Sequence, residues 1–243
     1  IIRPGYDCLV DAIFFGEGEG LVGEMAAALA QNRLAGHKAA LKDIATRIKG
    51  LWVAGAPSVE AAPVEKAILD RPQASLLLTE PPILNGTEAR TANLQINYGC
   101  PAFCSFCFEG YDRKPYRELP LPDLLQAARQ IKRAQGNEAI NLYSFNFNTH
   151  SDIFDLLLEL HRLFERVSLK SQRVDLLQHT DPLLEAEIEA DKRSFTLGIE
   201  GISERQRAWL HKSLPAADIN DLLQRLVTIG VHEIKLFYLL NGN

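Results

Sequence analysis

Three of the four cysteines in this chain fall in one short stretch, Cys100-Pro-Ala-Phe-Cys104-Ser-Phe-Cys107, directly after an apolar run at 94–98. A C-x3-C-x2-C spacing confines the fold around it, because three soft sulfur ligands on one tight loop can converge on a single metal centre. Four cysteines in 243 residues make no disulfide framework, and thiols clustered in this way belong to a reducing compartment. A cytoplasmic protein is therefore expected. Structural zinc takes four protein ligands, yet the nearest histidine beyond the motif is His150, more than 40 residues on. A cubane of four irons would use the three thiolates and leave one iron open to a small molecule. The apolar neighbours Phe103, Phe106 and Phe108 are expected to shield the sulfurs from water.

From residue 94 onward, short apolar runs alternate with amphipathic stretches, the pattern of βαβ units around a parallel sheet. Strands are predicted at 94–98, 139–145, 173–177, 194–199 and 233–240. The intervening helices open with cap signals: Asp123 ahead of Leu124, Leu125, Ala128 and Ile131; proline after Asp181; and Ser203 with Gln206 as a capping box. At about 30 residues per strand the spacing matches a βα repeat, and a closed eight-stranded barrel needs about 250 residues. The fold class is thus α/β, an incomplete barrel or an open sheet, with its site on the loops after the carboxyl ends of the strands.

The first third reads differently. An apolar run at 9–15 leads into Gly16-Glu17-Gly18-Glu19-Gly20, and Val22, Met25, Ala26 and Leu29 then recur at helical spacing. A second helix is expected at 38–48 and a loop from Gly50 to about residue 82. The glycine turn invites a phosphate cradle, but Leu21 stands where the third glycine of the fingerprint belongs, and Glu17 and Glu19 would repel phosphate. Cys8 reads as a small buried hydrophobe.

Charge narrows the partners. With 26 Lys and Arg against 31 Asp and Glu the net charge is −5, which lacks the basic footprint of a nucleic-acid partner. No apolar run approaches the roughly 20 residues that span a bilayer. The chain opens on Ile1-Ile2, its only methionine is Met25, and it stops soon after an apolar run, so both ends read as boundaries within a longer protein.

Cys100, Cys104, Phe106 and Cys107, with the strand before them, resemble the hallmark of the radical S-adenosylmethionine (radical SAM) enzymes. The resemblance covers roughly residues 92–243 and implies a partial (β/α)6 barrel. It also implies a 4Fe-4S cluster on the three cysteines, S-adenosylmethionine at the open iron, and reductive cleavage to a 5′-deoxyadenosyl radical that activates a substrate. A reducing electron donor, flavodoxin- or ferredoxin-like, would be the partner.

By the same resemblance Phe106 lies near the adenine. Ser144 or Asn146 would stand where many members carry Gly-Gly-Glu for the methionine amino group, and Glu200, in Gly198-Ile199-Glu200-Gly201, faces the cofactor. His179 is a candidate substrate contact at the end of the third strand, whereas Arg113 and Arg117 read as surface charge.

The stretch 11–19 resembles the end of a cobalamin-binding, Rossmann-like domain, and 51–55 the connector that follows it. The expected organisation is therefore a domain tail over 1–50, a connector over 51–91 and the barrel over 92–243. The cobalamin signature Asp-x-His-x-x-Gly is missing from the sequence, so cobalamin would enter only through a domain upstream of this chain. A zinc-binding structural or interaction module with a remote fourth ligand is the alternative reading.

Overall fold

The computed structural model describes residues 9–31, 36–54, 64–72, 91–169, 172–179, 181–190 and 192–240, and the expectations for Cys8 and most of the loop before residue 82 lie outside them. The chain divides into two units, 1–71 and 72–243. In the first, β1 (Ala12–Phe14) pairs antiparallel with β2 (Leu51–Val53), and α1 (Leu21–Gln31) and α2 (His37–Arg47) lie between them in sequence. Ala28, Ile44, Ile48 and Leu51 form its small core. The glycine turn is engaged by the chain itself. Gly16 bridges Ala67, the Glu17 amide donates to the Ala67 carbonyl at 2.9 Å, and the Glu17 carboxylate accepts from the Leu69 amide at 2.6 Å.

In the second unit the parallel strands β3 (Thr91–Gln95), β6 (Ala139–Tyr143) and β7 (Arg166–Ser168) lie side by side in chain order. A parallel bridge from Gln172 to Leu197 carries the progression on to β8 (Ser194–Glu200) and β9 (Glu233–Tyr238). A short antiparallel pair, β4 (Asn97–Tyr98) and β5 (Arg117–Glu118), flanks the first strand end. Parallel strands joined by helices in this order make the open form of a (β/α) barrel.

Helical periodicity supplies the outer layer. Leu124, Ala127, Ala128 and Ile131 of α4 (Leu121–Gln135) and Ile153, Leu156, Leu157 and Leu160 of α5 (Ile153–Leu163) are buried at i, i+3, i+4, i+7 spacing, in one core with Leu94, Ile140 and Leu142. Ile219, Leu222 and Leu226 of α9 (Ala216–Thr228) share a second core with Phe195, Leu197 and Ile199. The predicted Ser203–Gln206 cap is present: the Ser203 side chain accepts from the Gln206 amide at the start of α8 (Glu204–Trp209). Asp123 lies inside the first turn of α4, whose cap position is Pro120.

The third predicted strand is a helix. Residues 173–177 open α6 (Val174–His179), and the extended segment ends at Arg173, whose amide and carbonyl are both taken by the Asn148 side chain at 2.8 Å. Val174 and Leu177, three residues apart, then bury one helical face. His179 is accordingly the last residue of a helix rather than the end of a strand.

One buried ion pair stands out in this core. The Glu187 side chain, on α7 (Asp181–Glu189), has no solvent exposure and meets Lys192 Nζ at 2.6 Å, while that ammonium sits 4.4 Å from the Phe195 ring centre and 5.4 Å from that of Phe147. Burial pushes the Glu187 carboxyl up and the Lys192 ammonium down from their usual ranges, each resisted by its partner. Removing one member strands the other charge. Lys192→Met should therefore cost about 3–5 kcal/mol in denaturant unfolding, and adding Glu187→Leu to it should restore most of that loss.

Candidate cluster site

Gly99 starts the loop with φ +75°, and a Cβ there would lie 2.2 Å from the Arg113 carbonyl, so only glycine lets the two backbones approach. Cys100 and Cys104 are buried, each 9% exposed, and Cys107 is partly so. Cys107 caps α3 (Phe108–Asp112), its sulfur accepting from the Gly110 amide at 3.3 Å. The Cys100 sulfur receives the Asn146 side-chain amide at 3.4 Å. Burial raises the Cys104 thiol above its ordinary pKa, against the pull of Lys212 and Arg173, while Cys100 and Cys107 add to the rise.

The loop's backbone is held from two flanks. Lys114 Nζ donates to the carbonyls of Cys100 and Ala102, the latter at 3.0 Å, and lies 3.8 Å from the Phe103 ring centre. From the other side the Ser105 amide donates to the Leu210 carbonyl at 3.0 Å, its hydroxyl to the Trp209 carbonyl at 3.3 Å, and His211 Nδ1 lies 3.2 Å from the Phe103 carbonyl. Tyr111 donates to that same carbonyl. Lys114, His211 and Lys212 carry no motif in the sequence; a lysine seven residues past the last cysteine is an ordinary surface residue until the fold turns it back.

Ser144 and Asn146 follow β6 and reach the loop through Asn146. Glu200 ends β8 with φ +67°, and its carboxylate pairs with Lys212 Nζ at 3.1 Å, both side chains being 14% exposed. A Cβ on Gly198 would meet that carboxylate at 2.4 Å, so a larger residue there would push the pair aside. Phe103, Phe106 and Phe108 are 57%, 40% and 74% exposed, while Cys100 and Cys104 beside them are buried. Arg113 forms an exposed pair with Glu109, in keeping with surface charge. The His179 side chain lies outside the described residues.

Among the described residues no three His, Cys, Asp or Glu side chains close on one metal-ion position. A single zinc would need such closure, at about 2.3 Å from each sulfur. A cubane gives each thiolate its own iron and tolerates wider spacing. Three thiols on one braced loop, two of them receiving N–H donors, are a donor set that fits an iron–sulfur cluster.

Two predictions follow from this geometry. Ammonium–carbonyl bonds contribute about 1.5–3 kcal/mol each when buried and less when partly exposed, so Lys114→Met should lower stability by about 1–2 kcal/mol and speed amide exchange across 100–107. At the other edge of the site, Glu118 is pushed up by burial, but the Ser151 amide and Tyr116 hydroxyl outweigh that and hold its pKa below the ordinary value. Its stabilisation is complete above the unfolded-state pKa of about 4.3 and is lost as the pH falls through the lower folded value. The melting-temperature gap between the native chain and Glu118→Gln should be full at pH 7 and shrink below about pH 4.

The family model described as Radical SAM superfamily matches residues 94–241. A curated relative, the uncharacterized protein MJ0966 of Methanocaldococcus jannaschii, is 25% identical over 160 residues, which cover 66% of this chain and 35% of that protein. The radical S-adenosylmethionine methyltransferase TsrM from Kitasatospora setae, solved with cobalamin and a [4Fe-4S] cluster bound, superposes with a TM-score of 0.60 at 16% identity, over 93% of this chain and 46% of that one. OxsB, a cobalamin-dependent S-adenosylmethionine radical enzyme solved with aqua-cobalamin and S-adenosylmethionine, gives 0.58 at 16% identity, over 95% of this chain and 34% of that one. At such identities the structural likeness is one of fold, and this chain spans about a third of the curated relative's length.

Proposed function

The chain belongs to the Radical SAM superfamily, and from that premise we propose that Cys100, Cys104 and Cys107 hold a 4Fe-4S cluster with S-adenosylmethionine at the iron they leave open. A reduced cluster held there would supply the one electron that breaks a carbon–sulfur bond of S-adenosylmethionine, releasing methionine and a 5′-deoxyadenosyl radical able to take hydrogen from a substrate. The residues of this chain bind, orient and exclude water. Phe106 lies beside the adenine through its backbone, Glu200 with its Lys212 partner faces the cofactor from the end of β8, and His179 is a substrate contact. Residues 1–50 are the tail of a Rossmann-like domain and 51–91 the connector to the barrel. The fold shared with TsrM and OxsB supports a place in the cobalamin-type methyl- or alkyl-transfer subgroup, with cobalamin held by a domain outside these residues.

The observation that carries the reading is the braced cysteine loop at the carboxyl end of the first parallel strand, where all three cysteines are free and two of the sulfurs receive backbone or amide donors. An electron donor of low potential and an organic substrate complete the reaction.

Anaerobic reconstitution with iron and sulfide, followed by reduction, should give a cluster signal in electron paramagnetic resonance that shifts on adding S-adenosylmethionine. Cys104→Ala should abolish it. Stoichiometric zinc in the purified protein, with no cluster after reconstitution, would replace the enzyme with a structural module.

A further inference from the structure

Asn146 is tied down through its backbone. Its amide donates to Ser144 Oγ at 3.0 Å, and its carbonyl accepts from Thr149 Oγ1 at 2.7 Å. Ser144 Oγ in turn donates to Asn97 Oδ1 at 2.8 Å, and Asn97, 1% exposed, points its side-chain amide at the Tyr116 hydroxyl, 3.5 Å away. Tyr116 packs behind both. Its hydroxyl donates to Glu118 Oε1 at 2.8 Å and lies 3.1 Å from Thr149 Oγ1. Burial holds the phenol well above its usual pKa, with the Glu118 carboxylate adding to the rise, so it stays a donor.

These bonds set the backbone of residue 146, from which the side-chain Nδ2 faces Cys100 Sγ at 3.4 Å. A thiolate has no proton to give, so only the N–H edge of the amide can face it. Ser144, for its part, has its hydroxyl proton on Asn97 and a lone pair on the Asn146 amide, which leaves it poorly placed to receive a ligand's ammonium.

We propose that Asn146 is a positioning residue for the Cys100 thiolate, placed by the bonds that Ser144 and Thr149 make to its backbone with Asn97 and Tyr116 packed behind them, rather than a ligand for the amino group of S-adenosylmethionine. An N–H donor withdraws electron density from the ligand sulfur and stabilises the reduced, more negative cluster, which raises its reduction potential. The inference rests on the cluster reading and adds to it a residue-level control of how readily the electron is gained.

The test uses the full chain, reconstituted anaerobically, with the midpoint potential read by redox titration of the electron paramagnetic resonance signal. Iron content and thermal melting are measured alongside to show that each variant folds and loads. Asn146→Ala should shift the midpoint negative, lowering the reduced-to-oxidised ratio at a fixed poise by several-fold, where tenfold corresponds to about 59 mV for one electron. Tyr116→Phe, which leaves the amide in place and only loosens its support, should give a smaller shift of the same sign. Asn146→Gln should recover part of the loss, and each variant should keep the spectral response to S-adenosylmethionine.

Unchanged midpoints at equal iron content would overturn the inference. So would an unchanged midpoint in Asn146→Ala together with a lost response to S-adenosylmethionine, which would return the residue to the cofactor. A native chain that takes up no cluster would overturn the underlying reading and this inference with it.

Discussion

A chain that leaves the end of a parallel strand gives up its ladder partners, and eight residues of irregular backbone must then find donors and acceptors elsewhere or be solvated. Between Cys100 and Cys107 that requirement is met by side chains and helix ends from far away in sequence. An ammonium covers the carbonyls of Cys100 and Ala102, and the terminal carbonyls of α8 take the Ser105 amide and hydroxyl. The loop holds its shape through these contacts. The sulfurs are thereby freed from structural duty, apart from Cys107, which caps a helix by accepting a single amide.

The same arrangement governs the charge around the thiols. Parallel strands deliver their carboxyl ends to one side of the sheet, so residues 97, 146 and 200 arrive together from β4, the turn after β6 and β8. Two cations, Lys212 and Arg173, lie close enough to lower the Cys104 thiol, but neither is loose: one pairs with Glu200 and the other with Asp175. Positive charge is thus placed near the sulfurs while its own hydrogen-bonding capacity is directed at carboxylates. Each cation acts on the thiols through its field and keeps a fixed position while doing so.

Much of this was legible beforehand, and the failures have physical causes. Apolar periodicity located α4, and the capping box located the start of α8, because those signals depend on neighbours within a turn. The segment 173–177 was misread because five residues with three apolar ones suit a strand or a helix equally. The deciding partner, Asn148, sits 25 residues earlier and takes both backbone groups of Arg173. The cysteines announced themselves by spacing alone. Lys114 and His211 did not, since their role depends on where backbone carbonyls of another segment come to rest. The exposure of the three aromatic neighbours was not legible either, since proximity in sequence says nothing about which way a ring turns.

Glu200 shows what such a site asks of its own stability. A residue with a Cβ held at φ +67° is strained by about 1–3 kcal/mol relative to glycine. The neighbouring Gly198 leaves room for the carboxylate that the strain puts in place. A sequence optimised for folding alone would put glycine at 200 and relax the backbone, and it would discard the carboxylate that holds Lys212 next to the thiols. Engineering a hardier version of this protein should therefore leave that position alone and seek its gains in the helices on the outer face.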